Sequence, residues 1–304
     1  MSRIEKALEK AAQIRNGVSL AEGTEKPQSM NKIEKAIEKA AQIRDSATIA
    51  EIAEDLQTKE VEAPVVVRQY ASRTITINSD ERLLAAISDP HSVISEQYRK
   101  LKSSLVRLTN EDRFRNLLMV TSALPGEGKS LTASNLAISM AHEYDLTVLL
   151  IDADLRQPSI HGYLGFEQTI GLSDCLLDGI DIGDAIIKTD ISKLSVLTAG
   201  RPVKKPLELF ASKRMQELMM EIKHRYEDRY VIIDTPPLLP FAETRSLAHI
   251  VDGILLVIHE GVTPQASVLE ARDVLKGCPV LGVVLNDSTM GNRDMSHYSK
   301  YYTR

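Results

Sequence analysis

A doubly wound α/β domain with a mainly parallel sheet is what most of this sequence predicts, on three observations. Short apolar runs recur at Leu117–Val120, Thr147–Ile151, Leu194–Leu197, Tyr230–Ile233, Gly253–Ile258 and Val280–Leu285. Helix-length stretches lie between most of them, the clearest from Leu131 to His142. None of the runs approaches the roughly 20 residues needed to cross a bilayer. A strand apolar at nearly every position, rather than at alternate ones, is buried on both faces. Successive parallel strands also need a crossover of a dozen or more residues, usually a helix.

Taken in order, the chain begins differently. Residues 2–15 (SRIEKALEKAAQIR) recur at 31–44 (NKIEKAIEKAAQIR), with 11 of 14 positions identical. Ala, Glu, Lys and Leu are good helix formers. Ile4, Ala7, Leu8, Ala11 and Ile14 place one narrow apolar stripe on each predicted helix. Ser2 and Asn31 stand at N-cap positions, each three residues before a Glu. Such an extension is either a solvated helix pair or a docking hook whose two copies raise avidity. Residues 1–45 are thus a repeated helical segment, and 46–84 a linker of low helix and strand content. The α/β domain is expected over 85–290, followed by a tail at 291–304.

Composition narrows the function classes. Of 304 residues, 43% are apolar, enough for a sizeable core and too many for global disorder. Thirty-seven Lys and Arg against 42 Asp and Glu leave a net charge of −5, which argues against bulk nucleic-acid binding. Cys175 and Cys278 have neither CxxC spacing nor accompanying histidines, so no disulfide scaffold or zinc site is expected. The N-terminus is charged from the start and lacks the apolar stretch of a signal peptide. The expected location is therefore the cytoplasm.

Chemistry enters at Ala123-Leu124-Pro125-Gly126-Glu127-Gly128-Lys129-Ser130, between the first strand and the helix that follows it. A phosphate-binding P-loop needs this context, and the match to GxxxxGK[ST] departs only at Ala123. Gly126 and Gly128 allow backbone N–H groups to turn inward, and the next helix presents its positive end. Lys129 would contact β- and γ-phosphates, and the Ser130 hydroxyl would hold Mg²⁺. With Glu127 and Leu131, these residues form the candidate nucleotide segment. Asp234 ends the run Tyr-Val-Ile-Ile-Asp, where a Walker-B carboxylate supports Mg²⁺. Asp152 and Asp154 end the strand before it, at the crevice where open α/β sheets bind ligands.

Pro-Gly-Glu-Gly-Lys-Ser at 125–130, Ile-Asp-Ala-Asp-Leu-Arg-Gln-Pro at 151–158 and Ile-Ile-Asp-Thr-Pro-Pro at 232–237 resemble the three Walker motifs of bacterial tyrosine autokinases. The resemblance spans roughly residues 90–304. It points to cytoplasmic kinases of exopolysaccharide gene clusters, and the Ile-Glu-Lys-Ala repeat is similar to the start of exosortase-associated members. It implies a P-loop NTPase of the deviant-Walker type, using ATP and Mg²⁺. Lys129, Asp152 and Asp154 would be catalytic, with Asp152 accepting or orienting the phenol proton. Ser130, Asp154 and Asp234 would support the metal. Asn286 resembles an adenine-reading position in related ATPases and is equally an ordinary strand-ending residue.

Two further features fit the resemblance. Tyr298, Tyr301 and Tyr302 fall within the last seven residues, although the chain holds only nine tyrosines, and a polar stretch precedes them. These are the expected phosphoacceptors, a tail tyrosine of one subunit attacking the γ-phosphate of ATP bound to its neighbour. Glu96, Arg99 and Lys102 resemble the family's ExxRxxR oligomerisation motif, with Lys in place of the last Arg. They could equally form a solvated helical ion pair. The resemblance also implies a ring-like homo-oligomer, the cytoplasmic tail of a membrane-embedded polysaccharide chain-length regulator as activator, a phosphatase, and recruitment to the inner face of the plasma membrane. Two rivals differ in class. A partition- or septum-type switch ATPase would carry its signature lysine where Leu124 stands. A nucleotide-binding scaffold would not need the intact Lys129, Asp152, Asp154 and Asp234. No HRD or DFG motif occurs, which excludes a eukaryotic-type kinase.

Overall fold

In a computed structural model of the chain, the structure describes residues 74–77, 83–110, 115–142, 147–191, 193–225 and 229–288. The N-terminal repeat and the tail tyrosines lie outside the described residues.

Eight strands form one sheet among these residues: β1 (Thr74–Ile75), β2 (Leu117–Ser122), β3 (Thr147–Asp152), β4 (Ile187–Thr189), β5 (Leu194–Leu197), β6 (Arg229–Asp234), β7 (Gly253–His259) and β8 (Val280–Asn286). Their order is β1-β4-β5-β3-β6-β2-β7-β8. Every pairing is parallel except β4 with β5. The helices are α1 (Ala85–Ser88), α2 (Val93–Thr109), α3 (Lys129–Ala141), α4 (Ile160–Tyr163), α5 (Leu172–Asp178), α6 (Ile182–Ala185), α7 (Pro206–Phe210), α8 (Lys213–Arg225), α9 (Ala242–Ala248) and α10 (Gln265–Val274). The predicted doubly wound, mainly parallel sheet is the observed one.

Strand parity builds the two cores. Leu117, Met119, Leu149, Ile151, Val231 and Ile233 face a cluster with Leu218, Ile222, Leu247 and Ala271 from α8, α9 and α10. Leu118, Val120, Val148, Leu150, Tyr230 and Ile232 face the opposite cluster, with Leu105, Leu136 and Met140 from α2 and α3. Each fully buried aliphatic side chain contributes roughly 1.5–3 kcal/mol. The same parity puts Asp152 and Asp234 on the α3 side, because they continue the 148-150-152 and 230-232-234 series.

Four details differ from expectation. The segment expected as linker ends in an edge strand, Thr74–Ile75, paired with Lys188 and Thr189. Leu84 is fully buried, and Asn135 of α3 ties the same stretch down, donating to the Leu83 carbonyl (3.1 Å) and accepting from Ala86 N–H (3.2 Å). The sheet therefore begins before residue 85. Strand β4 is too short and too interrupted by Lys188 to carry a sequence signal. The first long crossover helix starts at Lys129 rather than Leu131, since the loop glycine at 128 is already its N-cap. Finally, β8 is not covered on both faces. As an edge strand it leaves Val283 57% and Leu285 50% exposed.

Candidate active site

The P-loop connects β2 to α3. Gly126 and Gly128 both adopt positive φ, +81° and +86°, a region that L side chains rarely enter. Gly128 is required twice over, because a Cβ there would come within 2.1 Å of the Asn286 side-chain amide. That amide donates to the Glu127 carbonyl (3.0 Å). Asn286 is thus more than a strand end: its Nδ2 is committed to the P-loop backbone. Glu127 is buried, its side chain accepting from Leu124 N–H (2.8 Å) and from the Thr263 hydroxyl. Both oxygens of the Glu127 side chain thus have protein partners, which leaves the backbone of this residue as the part of it that faces the loop interior. Leu131 leans on the α3-side core, so its side chain is likewise a packing group.

Lys129, Ser130, Asp152, Asp154 and Asp234 come together at the C-terminal ends of β2, β3 and β6. Lys129 Nζ donates to Asp154 Oδ2 (2.9 Å) and Ser130 Oγ (3.0 Å), and lies 3.7 Å from Asp234 Oδ1. Asp152 and Asp234 are register partners on adjacent strands, and both are fully buried. Asp152 Oδ1 accepts from Asp154 N–H (3.1 Å), and its Oδ2 from Ser159 and Ile160 N–H (3.0 and 3.1 Å). Asp154 Oδ1 accepts from Arg156 and Gln157 N–H (3.3 and 3.0 Å). Neither carboxylate oxygen of Asp234 has a hydrogen-bond partner among the described residues.

The electrostatics follow from this crowding. Burial and then the Asp234 charge push the Asp152 carboxyl up to about 7, partly offset by the N–H groups of Ile160 and Ser159. Burial also raises Asp234, to about 6, against the opposing pull of Lys129. Burial alone would lower the Lys129 pKa. The carboxylates of Asp234, Asp154 and Asp152 together outweigh it, and the ammonium is held charged. A cation drawn toward two or three buried carboxylates is the environment in which phosphates and a divalent ion are stabilised together.

The residues present fit magnesium. At a P-loop, Mg²⁺ takes most of its ligands from phosphate and water, so the protein need supply only one or two oxygens. Among the described residues no group of three His, Cys, Asp or Glu side chains is assembled to hold a metal. What the chain offers is the Ser130 hydroxyl and the buried carboxylate of Asp234, which has Lys129 3.7 Å away and accepts no hydrogen bond among the described residues.

Arg156 follows Asp154 by two residues, and its side chain turns to α9. Its guanidinium pairs with buried Glu243 on α9 and stacks on Phe241, 4.6 Å from the ring centroid. Sequence reasoning missed Glu243 and Thr263 altogether. A lone Glu in a short helix and a lone Thr in a loop carry no motif, and only long-range packing gives them partners. Glu96 and Arg99 pair with each other within α2, Arg99 Nε donating to Glu96 Oε2 (2.8 Å), and Arg99 Nη1 also reaches the Pro90 carbonyl (2.7 Å). Lys102 lies one turn further along the same helix.

Residues 117–263 match a family model described as an AAA domain. The chain is 38% identical over 226 residues, 74% of its length, to the tyrosine-protein kinase YwqD of Bacillus subtilis, of which it covers 93%. It is 34% identical over 231 residues, 73% of its length, to the succinoglycan biosynthesis transport protein ExoP of Rhizobium meliloti, of which it covers 28%. Among solved structures, the kinase domain of the Escherichia coli tyrosine kinase ETK superposes with a TM-score of 0.62 at 31% identity, over 67% of this chain and 79% of that one.

Proposed function

This chain belongs to the bacterial tyrosine-protein kinases, and on that premise we propose that it phosphorylates its own C-terminal tyrosines, Tyr298, Tyr301 and Tyr302, between subunits. The observation that carries this reading is the meeting of Lys129, Ser130 and the buried Asp234, whose carboxylate accepts no hydrogen bond among the described residues, at the mouth of a P-loop. The P-loop amides and the N-terminus of α3 hold the phosphates of ATP. Lys129 exchanges its carboxylate partners for phosphate oxygens and stabilises charge on the transferred group. Ser130 and Asp234 would hold Mg²⁺, with Asp154 beside them through Lys129. The ion supplies charge neutralisation across the phosphate oxygens.

The attacking phenol starts near an ordinary pKa of about 10 and needs help at neutral pH. Asp152 is the group assigned to that proton. Burial beside Asp234 raises its pKa to about 7, and three accepted N–H bonds leave part of its acceptor capacity unused. Each phosphate added to the tail brings nearly two negative charges. Crowded phosphates repel one another and release the tail from a neighbouring subunit, so phosphorylation dissolves a ring that Glu96, Arg99 and Lys102 help to hold. By analogy with ExoP, whose name links it to succinoglycan biosynthesis and transport, the kinase acts in exopolysaccharide production. Its activator is the cytoplasmic tail of a membrane-embedded chain-length regulator, which recruits it to the membrane. A phosphatase resets the tail.

Intact-protein mass spectrometry after incubation with Mg·ATP tests this, with and without the activator's tail. Mass gains in steps of one phosphate are expected. They should be lost in Lys129→Met and in the Tyr298/Tyr301/Tyr302→Phe triple variant. ATP hydrolysis with no mass gain in either set would favour a switch ATPase instead.

A further inference from the structure

The loop after β7 reaches the P-loop through Thr263, and the chemistry of that contact is specific. His259, Glu260, Gly261, Val262 and Thr263 form a tight turn. Val262 and Thr263 N–H both donate to the His259 carbonyl (3.2 and 3.1 Å), and Gly261 takes a positive φ of +72°. Glu260 N–H donates to the Asn286 carbonyl (3.0 Å), which fastens the turn to the end of β8. On this fixed base, His259 N–H donates to Thr263 Oγ1 (3.0 Å). That bond occupies the hydroxyl as an acceptor and leaves its proton for Glu127 Oε1, the short contact across the groove.

Glu127 sits between two glycines whose backbone must face phosphate. A free carboxylate at that place would repel the incoming phosphates. Its burial at 3% exposure, with Leu124 N–H on one oxygen and Thr263 on the other, holds the negative charge away from them. Asn286 secures the same peptide from the other side through the Glu127 carbonyl. We infer that Thr263 is a positioning residue for nucleotide binding: acting through Glu127, its hydroxyl sets the P-loop backbone and keeps the Glu127 carboxylate turned from the phosphates. The inference rests on the reading of this loop as the nucleotide cradle, and it concerns affinity rather than the transfer step.

The full-length protein and three variants, Thr263→Val, Thr263→Ser and Glu127→Gln, together with the Thr263→Val/Glu127→Gln double, would be compared for Mg·ADP affinity. ATP dependence of the initial phosphorylation rate and melting temperature would be recorded alongside. Losing a hydrogen bond to a buried carboxylate corresponds to about a tenfold change in affinity. Thr263→Val should therefore weaken Mg·ADP about tenfold and raise the KM for ATP similarly. Its rate at saturating ATP should stay within about twofold of wild type. Thr263→Ser, which keeps the hydroxyl, should bind within about twofold of wild type. The double variant should bind no worse than the weaker single one, because Thr263 acts only through Glu127 and both changes fall on that one contact. Wild-type affinity in Thr263→Val, an equal loss in Thr263→Ser, additive losses in the double, or a fall in maximal rate at unchanged KM would each overturn the inference. Failure of the wild-type protein to bind Mg·ADP would overturn the reading of the cradle itself. Because valine nearly matches threonine in shape, a collapse of the melting temperature in Thr263→Val would also count against a positioning role, and Thr263→Ser would report it separately.

Discussion

Asp152 and Asp234 have the same side chain, end neighbouring strands, pair in register and are equally buried, yet their surroundings are opposite. The chain after β3 curls back so that three of its N–H groups converge on Asp152. The chain after β6 sends no N–H group to the Asp234 carboxylate among the described residues. Its first polar groups turn to β2 instead, Thr235 N–H and Oγ1 both donating to the Val120 carbonyl. Asp234 is left with Lys129 at 3.7 Å and no hydrogen bond. One aspartate fastens a loop. The other is a buried charge held ready for a cation. Identical sequence signals at strand ends therefore carry different work, and the course of the following loop assigns it.

The largest expected effect comes from neutralising the carboxylate that accepts no hydrogen bond. Asp234→Asn should reduce tyrosine phosphorylation at saturating Mg·ATP by about a thousandfold, since metal-borne charge stabilisation is worth several kcal/mol. Its circular dichroism should be unchanged. An active Asp234→Asn would erase the distinction between the two aspartates. Asp152→Ala should act on the fold as well as on the rate, because three N–H groups lose a buried acceptor. A loss of about 3 kcal/mol, or roughly 10 °C in melting temperature, is expected by thermal denaturation.

Asp234 gives a smaller effect with a defined sign. Its pKa in the folded protein is raised from 3.8 to about 6, so the native state holds the proton more tightly than the unfolded chain. The stability this provides is fully present below about pH 4 and is lost as pH rises through about 6. Removing the charge should therefore make Asp234→Asn more stable than wild type above pH 6, by on the order of 2 kcal/mol, with the gap closing toward pH 4. Melting curves across that range measure it. A constant gap would mean that the buried carboxylate is not the group responsible. Asp152, raised to about 7, sharpens the comparison kinetically. If it takes the phenol proton as well as fastening its loop, the initial rate at saturating Mg·ATP should rise several-fold from pH 6 to 8. A flat profile would leave it a fastener only.

The smallest effects lie outside the carboxylate cluster. Arg156→Lys gives up the planar stack on Phe241 and the shaped pairing with Glu243, and should cost about 1 kcal/mol in chemical denaturation. Glu96→Gln breaks a pair exposed on the surface of α2. It should change the stability of the isolated protomer by less than about 0.5 kcal/mol. A larger loss that depends on protein concentration would indicate that the pair works between subunits.

Much of the site could be read from the chain because its signals are local. Gly126 and Gly128 announce a positive-φ turn, Lys129 and Ser130 follow at fixed spacing, and an apolar run closing on Asp marks a strand end at the crevice. The parity that puts Asp152 and Asp234 on the α3 side is also a sequence property. What could not be read has partners distant in sequence. Thr263 meets Glu127 across 136 residues, Asn286 meets the same residue across 159, and Arg156 reaches Glu243 across 87. The edge position of β8 belongs with them, since Val280–Leu285 reads like any buried strand and only the absence of a neighbour beyond it in the described sheet exposes Val283 and Leu285.

The sequence by itself determined the fold class, the phosphate loop, the lysine and the three aspartates, because hydrophobic period, glycine conformational freedom and motif spacing act within a few residues. Tertiary structure alone decided that Asp152 is fastened by hydrogen bonds and Asp234 is not, that the Glu127 side chain accepts from Leu124 and Thr263, and that Asn286 donates to the P-loop backbone. Each of these depends on which N–H or hydroxyl arrives at a buried oxygen, and that is settled only when distant loops pack together.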